Sequence, residues 1–538
     1  MSQTKRRFWG WGLEGQGPQP EQQEAIRRSL AEQLGGAPLE LVPEPRLEDI
    51  SLRPPRLTPP ESLDEICSTL PEDRANRTYG KSYRDVVRAV RGDFSNAPDV
   101  IAFPRNEQEV TSILDWSSDT GAAVIPYGGG SSVVGGIEPD LGDAYPGCVT
   151  LDLSRLDQVL EIDRESRAAR IQAGIFGPAL EAQLRPHDLT LRHFPQSFEF
   201  STLGGWIATR SGGHYATLYT HIDDFVESLR TVTPQGIVES RRLPGSGAGP
   251  SPDRLFIGSE GTLGVITEAW MRLQDRPRFR ASTAVGFPGK DGFQRGAAAV
   301  RALSQTGLFP SNCRLLDARE AGNTGAGDGN TSVLVLGFES ADHSLDAWMA
   351  RATQCCRDAG GEVPEGAPAT QEDGTGARDG AAGAWRNAFL QAPYVRDVLV
   401  RMAVVSETFE TAITWDRFEE FHAGVMEATR RAVQRECGTG WVTCRFTHAY
   451  PDGPAPYYSV TALGRRGSEL EQWAAIKDAA WQAIIELGGT ITHHHAVGRD
   501  QRPGYDRQRP DLFARALGAV KRDLDPMALL NPGVLIDP

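Results

Sequence analysis

Three histidines stand in a row at His493, His494 and His495, and imidazole is the side chain suited to proton transfer or metal ligation near neutral pH. Adjacent residues seldom all reach one ion, and no cysteine or carboxylate stands at ligand spacing, so the expectation is no metal. In extended backbone, neighbours point to opposite faces, which puts His493 and His495 on one side and His494 on the other. A solvated surface run is the plain alternative, but the flanking GGT and AVG suit an active-site loop. Three arginines, Arg314 (CRLLD), Arg396 (PYVRD) and Arg445 (TCRFTH), lie in or beside strand-like stretches. Such arginines commonly face solvent or a carboxylate, yet a planar guanidinium also matches an oxyanion with paired donors. In GPAPYYSV a strand aims Tyr457 and Tyr458 in opposite directions. A phenol with pKa of about 10 serves as a base only where neighbouring cations lower it.

A second chemistry is written in glycine. IPYGGGSSVVGG (125–136), FPQSFEFSTLGGWIATRSGG (194–213) and GSEGTLGVITE (258–268) each start or end a strand-like stretch. Glycines let backbone approach a ligand closely and accept positive φ, and backbone N–H groups with the hydroxyls of Ser131 and Ser132 make a concave donor surface for pyrophosphate. Any one of these segments reads as a tight turn; three within 140 residues point to a dinucleotide. None is GxGxxG or GxxxxGK[ST], so Rossmann and P-loop readings both fail.

Elements must position these groups. DVIAFP and AVIPYG read as strands around a helix that Asn106 caps, with Glu109 three residues on, and that Gly121 ends. Strands in GCVTLDL and AARIQAG and a helix in GPALEAQLRP follow, then strands in FVESLRTVTP and GVITEAWMRLQ. Strands such as TSVLVLGFE then alternate with helices such as DRFEEFHAGVMEATRRAVQREC. The fold class is α+β. Its parts are a polar helical extension (1–95), a cofactor unit (96–277), a mixed α/β cap (278–500) and a C-terminal segment (501–538) that ends in a helix, a Pro-stopped turn and a short strand. GGEVPEGAPATQEDGTGARDGAAG (360–383) reads as an exposed loop.

The 538 residues carry 39% hydrophobic and 24% charged side chains and a net charge of −15. That composition is globular, and the charge argues against nucleic acid as partner. Seven scattered cysteines without CxxC spacing suit a reducing cytoplasm. Neither a signal peptide, a spanning segment nor a C-terminal SKL is present, so contact with a membrane would be peripheral.

PYGGGSSVVGG, SFEFSTLGGWIATRSGG, GSEGTLGVITEA and the tail LDPMALLNPG resemble, in order, the segments of the vanillyl-alcohol-oxidase-type FAD-binding superfamily. RFWGWG, SFEFSTLGGW, CRLLD, PYVRD and ITHHHAVG resemble more narrowly the alkyldihydroxyacetonephosphate synthase family, over residue 6 to the end. The resemblance implies FAD contacts from Pro126, Tyr127, Gly128, Gly129, Gly130, Ser131 and Ser132, from Gln196, Ser197, Ser201 and Thr202, from Thr209, Arg210, Ser211 and Gly212, and from Glu260, Gly261, Thr262, Leu263, Gly264, Val265 and Ile266. Covalent members of the superfamily carry a histidine where Gly130 stands, so a non-covalent flavin is implied. His214 in RSGGH falls in the wrong segment for attachment and reads as a surface or packing residue. Related D-2-hydroxy-acid dehydrogenases carry Glu-His-Gly where this chain has the histidine triplet; Ala496 replaces the family's usual glycine.

By the same resemblance, Tyr457 exchanges a proton with substrate, Arg396 binds the substrate, and Arg314 and the histidines support activity. The implied reaction replaces the acyl chain of acyl-dihydroxyacetone phosphate by a long-chain alcohol through an adduct at flavin N5, without net redox change, in a homodimer. The alternatives are an FAD-dependent oxidase or dehydrogenase of a D-2-hydroxy acid, disfavoured by the histidine triplet, and a non-catalytic flavin scaffold, disfavoured by so many titratable groups in one region.

Overall fold

The computed structural model describes residues 5–219, 221–365, 370–372 and 380–537. The first sheet runs Cys67–Ser68, Val100–Ala102, Cys148–Asp152, Ala123–Tyr127. Its last three strands are parallel and almost wholly buried, as strands covered on both faces must be. The crossover helix Glu107–Thr120 starts where Asn106 accepts the Glu109 N–H at 2.9 Å and stops at left-handed Gly121. The Glu109 carboxylate does not close a capping box. It accepts from the Arg105 N–H at 2.7 Å instead.

A second, antiparallel sheet runs Val159–Asp163, Ala168–Gln172, Val265–Arg272, Val226–Thr233, Gly236–Glu239. Val159–Asp163 is a strand that sequence patterning passes over, because it is an edge whose side chains lie largely at the surface. A seven-stranded antiparallel sheet carries the remaining chemistry, in the order Gln371–Glu372, Phe279–Pro288, Thr331–Ser340, Asn312–Leu316, Gly440–Ala449, Pro454–Leu463, Val404–Glu410. Helices Phe418–Cys437 and Glu469–Glu486 pack beside it.

Several expectations change here. Arg396 lies on a helix, Gly380–Arg401, not in or beside a strand. That helix takes the last residues of the 360–383 stretch, Glu362 bridges to Gly286, and 366–369 and 373–379 fall outside the described residues. The second glycine segment leads into a helix, Leu203–Ala208, rather than a strand. Among the described residues the tail makes no terminal strand. Leu530 forms a single parallel bridge to Val124, which ties the C-terminal segment to the first sheet. The first 95 residues are more than a polar lead-in, since Trp9, Tyr79, Tyr83, Val86 and Phe94 join the hydrophobic core beneath the seven-stranded sheet. Their aromatic area outweighs the polar average of the segment.

Candidate active site

A cavity of about 600 Å³ lies between the second and third sheets and the glycine segments. One wall is Pro126 to Ser132, with Gln196, Ser197, Ser201, Thr202, Thr209, Ser211, Gly212, Glu260, Gly261, Gly264 and Ile266. The other holds Arg314, Arg396, Arg445, His448, Tyr457, His494 and His495. Four residues expected at the flavin lie off this cavity, as does His493. Arg210 turns outward to Asp223 at 2.9 Å. Thr262 is sealed in by its bond to the Ser259 carbonyl at 2.7 Å. Leu263 and Val265 belong to hydrophobic cores. A run of consecutive residues cannot put every side chain on one surface.

The glycines have a reason the sequence did not show. A Cβ on Gly129 would lie 1.9 Å from the Phe200 carbonyl oxygen, one on Gly128 2.2 Å from Thr202 Oγ1, and one on Gly130 (φ +67°) 2.0 Å from the Tyr127 hydroxyl. The first segment is side-chain-free because the second packs directly on it, and the joined loops form the floor of the cavity. Glu260 ties this floor to the opposite wall, accepting the Val497 and Gly498 N–H groups at 2.8 and 2.7 Å. Burial pushes its carboxyl up to about 7 against the pull of those two bonds.

The opposite wall is organised by strand register. Arg445, Tyr457 and Glu410 are cross-strand partners in one row, so their side chains share a face. The Arg445 guanidinium lies 3.9 Å above the Tyr457 ring and reaches Glu320 at 2.5 Å. Tyr458 points the other way, to His422 Nδ1 at 3.2 Å, and is fully buried. Tyr457 therefore faces the cavity and Tyr458 does not. Burial raises the Tyr457 phenol, and Arg445 and Thr408 recover only part of the shift. Against the expectation of a cation-lowered base, Tyr457 is a protonated phenol in the free protein.

Glu410 shapes the histidine turn. Its carboxylate, buried completely, accepts the backbone N–H groups of His493, His494 and His495 at 2.5, 3.0 and 2.9 Å and the Thr492 hydroxyl at 2.7 Å. Burial alone would raise it; the Thr492 hydroxyl and the triplet's amides hold it below the ordinary carboxylate range. Three successive amides folded round one carboxylate are not extended backbone, so the alternation expected for the triplet fails. His494 and His495 face the cavity together. His493 turns to the Tyr450 hydroxyl at 2.9 Å, which also bonds His221. Burial drives all three imidazoles below their ordinary value, so they are neutral. The ring nitrogens of His448, His493 and His494 lie within 4.8 Å of one another, the grouping among the described residues that could hold a cation. His493 and His494 already meet through their Nδ1 atoms at 3.1 Å.

The arginines differ in how they are held. Arg314, only 2% exposed, bonds His214 Nδ1 at 2.9 Å and stacks 4.6 Å from Trp385. Burial and the nearby Arg445 push it down to about 9, which marks a cation short of a counter-anion. His214 is thus a half-buried wall residue that packs on Trp385 and Phe389 and holds Arg314, rather than a surface histidine. Arg396 bonds Asp397 at 3.0 Å and the Lys81 carbonyl. Asp397 in turn accepts the Trp11 N–H at 2.6 Å. The RFWGWG strap lies on this helix so closely that a Cβ on Gly10 would sit 2.5 Å from Asp397 Oδ2 and one on Gly12 2.4 Å from the Tyr394 ring. Pro393, inside the helix, cannot donate to the Phe389 carbonyl four residues back, and Gln196 of the second glycine segment takes that carbonyl at 2.6 Å. The Nε atoms of Arg314, Arg396 and Arg445 and Nδ1 of His448 are buried without partners. The three orphaned guanidinium donors, on side chains that line one cavity, fit an anionic ligand, whereas His448 Nε2 donates to the Gly213 carbonyl at 2.9 Å and leaves its Nδ1 an acceptor; the hydroxyl- and glycine-lined floor fits a dinucleotide. Sequence reasoning missed His448, Glu410, Asp397 and Trp11. Asp397 was visible in PYVRD, whereas Glu410 gains its meaning only through a turn over eighty residues away.

Comparison with known proteins matches residues 98–240 to an FAD binding domain and 276–535 to the C-terminal domain of FAD linked oxidases. The alkyldihydroxyacetonephosphate synthase of Dictyostelium discoideum is 30% identical over 93% of this chain and 84% of its own. That of Caenorhabditis elegans is 31% identical over 86% and 80%. A glycolate oxidase subunit of Bacillus subtilis is 26% identical over 82% and 89%. A solved alkyldihydroxyacetonephosphate synthase superposes with a TM-score of 0.80 at 26% identity over 98% of both chains. p-Cresol methylhydroxylase, at 15% identity and a TM-score of 0.66, shares the fold.

Proposed function

This chain belongs to the alkyldihydroxyacetonephosphate synthase family, an FAD-dependent one, and we propose on that basis that it replaces the acyl chain of acyl-dihydroxyacetone phosphate with a long-chain alcohol to give the alkyl ether. The observation that carries this reading is the convergence of the three glycine segments with Arg314, Arg396, Tyr457, His494 and His495 on one cavity. FAD bound along the glycine and hydroxyl floor supplies an electrophilic ring and an electron sink. Gly130 offers no nucleophile and its left-handed backbone leaves no room for a side chain, which favours dissociable flavin.

Arg396, fixed by Asp397, offers donors to the substrate phosphate, and Arg314 adds a second cation for which no described residue provides a counter-anion. Tyr457 acts at the carbon beside the carbonyl. Since it starts protonated, it can take a proton there only by passing its own to an acceptor, and the neutral rings of His495 and His494 stand 5.6 and 6.3 Å away between centroids. We assign proton transfer to this tyrosine–histidine group rather than to the phenol alone. Among the described residues no helix is long and apolar enough to cross a membrane, and the lipid substrates are taken up at a membrane surface.

The test is incubation of the FAD-loaded protein with palmitoyl-dihydroxyacetone phosphate and hexadecanol. The alkyl ether is expected; its absence from a folded, flavin-bound preparation overturns the assignment. Bleaching of the same preparation by D-lactate or D-2-hydroxyglutarate would support the dehydrogenase alternative.

A further inference from the structure

A second cavity, of about 890 Å³, adjoins the first; Phe194, Gln196, His214 and Phe389 line both. Its charged wall is Arg185, Arg192, Arg276, Arg280 and Arg386 against Glu199 and Glu339, a positive surplus within a chain of net charge −15. The pairing decides where that surplus sits. Glu339 and Arg280 are directly opposite on neighbouring strands, where a charge pair would be expected. Arg192 takes Glu339 instead, through both carboxylate oxygens, in a buried bidentate bridge. Arg276 reaches Glu181 at 3.2 Å. Among the described residues this leaves half-buried Arg280 and exposed Arg386 and Arg185 without an acceptor. Burial, and next the charge of Arg192, lower Arg280, as expected for a cation held beside another. The rest of the wall includes Phe198, Phe338 and Trp385. Guanidinium groups beside aromatic surface suit an amphiphile with an anionic head.

We propose that this second cavity is a separate binding site for the phosphate head of a long-chain lipid, held there by Arg280 and Arg386 before it passes His214 and Phe389 into the first cavity. That the lipid is the acyl substrate rests on the synthase reading; that the site binds a phosphate monoester does not. The same chemistry could be met by a bilayer phospholipid or by the phosphorylated substrate itself, and the experiment separates them.

Holoenzyme carrying Arg280→Ala with Arg386→Ala is compared with the wild type and with the double lysine variant. Titration with inorganic phosphate, followed by the fluorescence of Trp385 and Trp11, should show saturable binding that the alanine pair weakens about tenfold or more, the scale of a charge-assisted hydrogen bond, and that lysine largely restores. This arm reads no turnover, so it stands or falls apart from the synthase reading. In steady state, KM for acyl-dihydroxyacetone phosphate should rise by a similar factor in the alanine pair, with KM for the uncharged alcohol unchanged. If instead the KM values hold while co-sedimentation with phosphatidylserine-containing vesicles is lost, the head bound there is that of a bilayer lipid. The proposal is overturned if the alanine pair binds phosphate as the wild type does, or if the KM values for both substrates rise equally.

Discussion

Replacing Asp397 by asparagine removes one charge and nothing of the side chain's shape, which makes it a sharp probe of how Arg396 is held. Asp397 is 1% exposed and accepts two donors, the Trp11 N–H at 2.6 Å and the Arg396 guanidinium at 3.0 Å. An asparagine has one acceptor oxygen, so its amide N–H₂ must face either donor. Losing a charge-assisted bond and leaving a buried donor opposed costs about 3 kcal/mol. In a chain of this size that lowers Tm by about 3 °C. If roughly half of the loss is felt as misplacement of Arg396, KM for the phosphorylated substrate rises about tenfold, while flavin content stays normal because no floor residue is touched. Gly10→Ala, whose Cβ would lie 2.5 Å from Asp397 Oδ2, should reproduce the effect from the opposite side. The assay is a KM and kcat determination beside flavin absorbance and a melting curve. An Asp397→Asn protein with unchanged KM and Tm refutes the view that the strap positions Arg396.

Tyr457→Phe should retain FAD but lose at least about 100-fold in kcat, the scale of a general acid–base group, whereas Tyr458→Phe should stay within a few-fold; the reverse result in a turnover assay would shift the role to Tyr458. Gly129→Ala should yield folded protein that holds little flavin after gel filtration, because its Cβ meets backbone at 1.9 Å; full flavin occupancy contradicts the loop-on-loop floor. Glu260, raised from 4.5 to about 7, binds its proton more tightly in the folded state, so stability should fall by about 3 kcal/mol as pH rises from roughly 4.5 to 7 and then level off. Glu260→Gln should flatten that part of the Tm–pH curve, and an unchanged slope would assign it to other groups.

Much of the site was legible because it is written in local chemistry. Consecutive glycines and hydroxyls announce a phosphate-binding turn whatever surrounds them, and the helix Glu107–Thr120 follows from its cap, apolar spacing and glycine stop. The alternation rule placed Tyr457 and Tyr458 on opposite faces, since a strand leaves no other option. It failed at the histidine triplet because Glu410, distant in sequence, gathers the three amides into a turn. It failed for Arg396 because PYVRD looks like a proline-started strand, and only packing against the strap and the second glycine segment keeps Pro393 within a helix. Sequence by itself determined which groups are present and what they can donate or accept. Tertiary structure decided which of them share a cavity and how each is charged, because desolvation and long-range partners, neither encoded locally, set the protonation of Tyr457, Glu260 and the histidines.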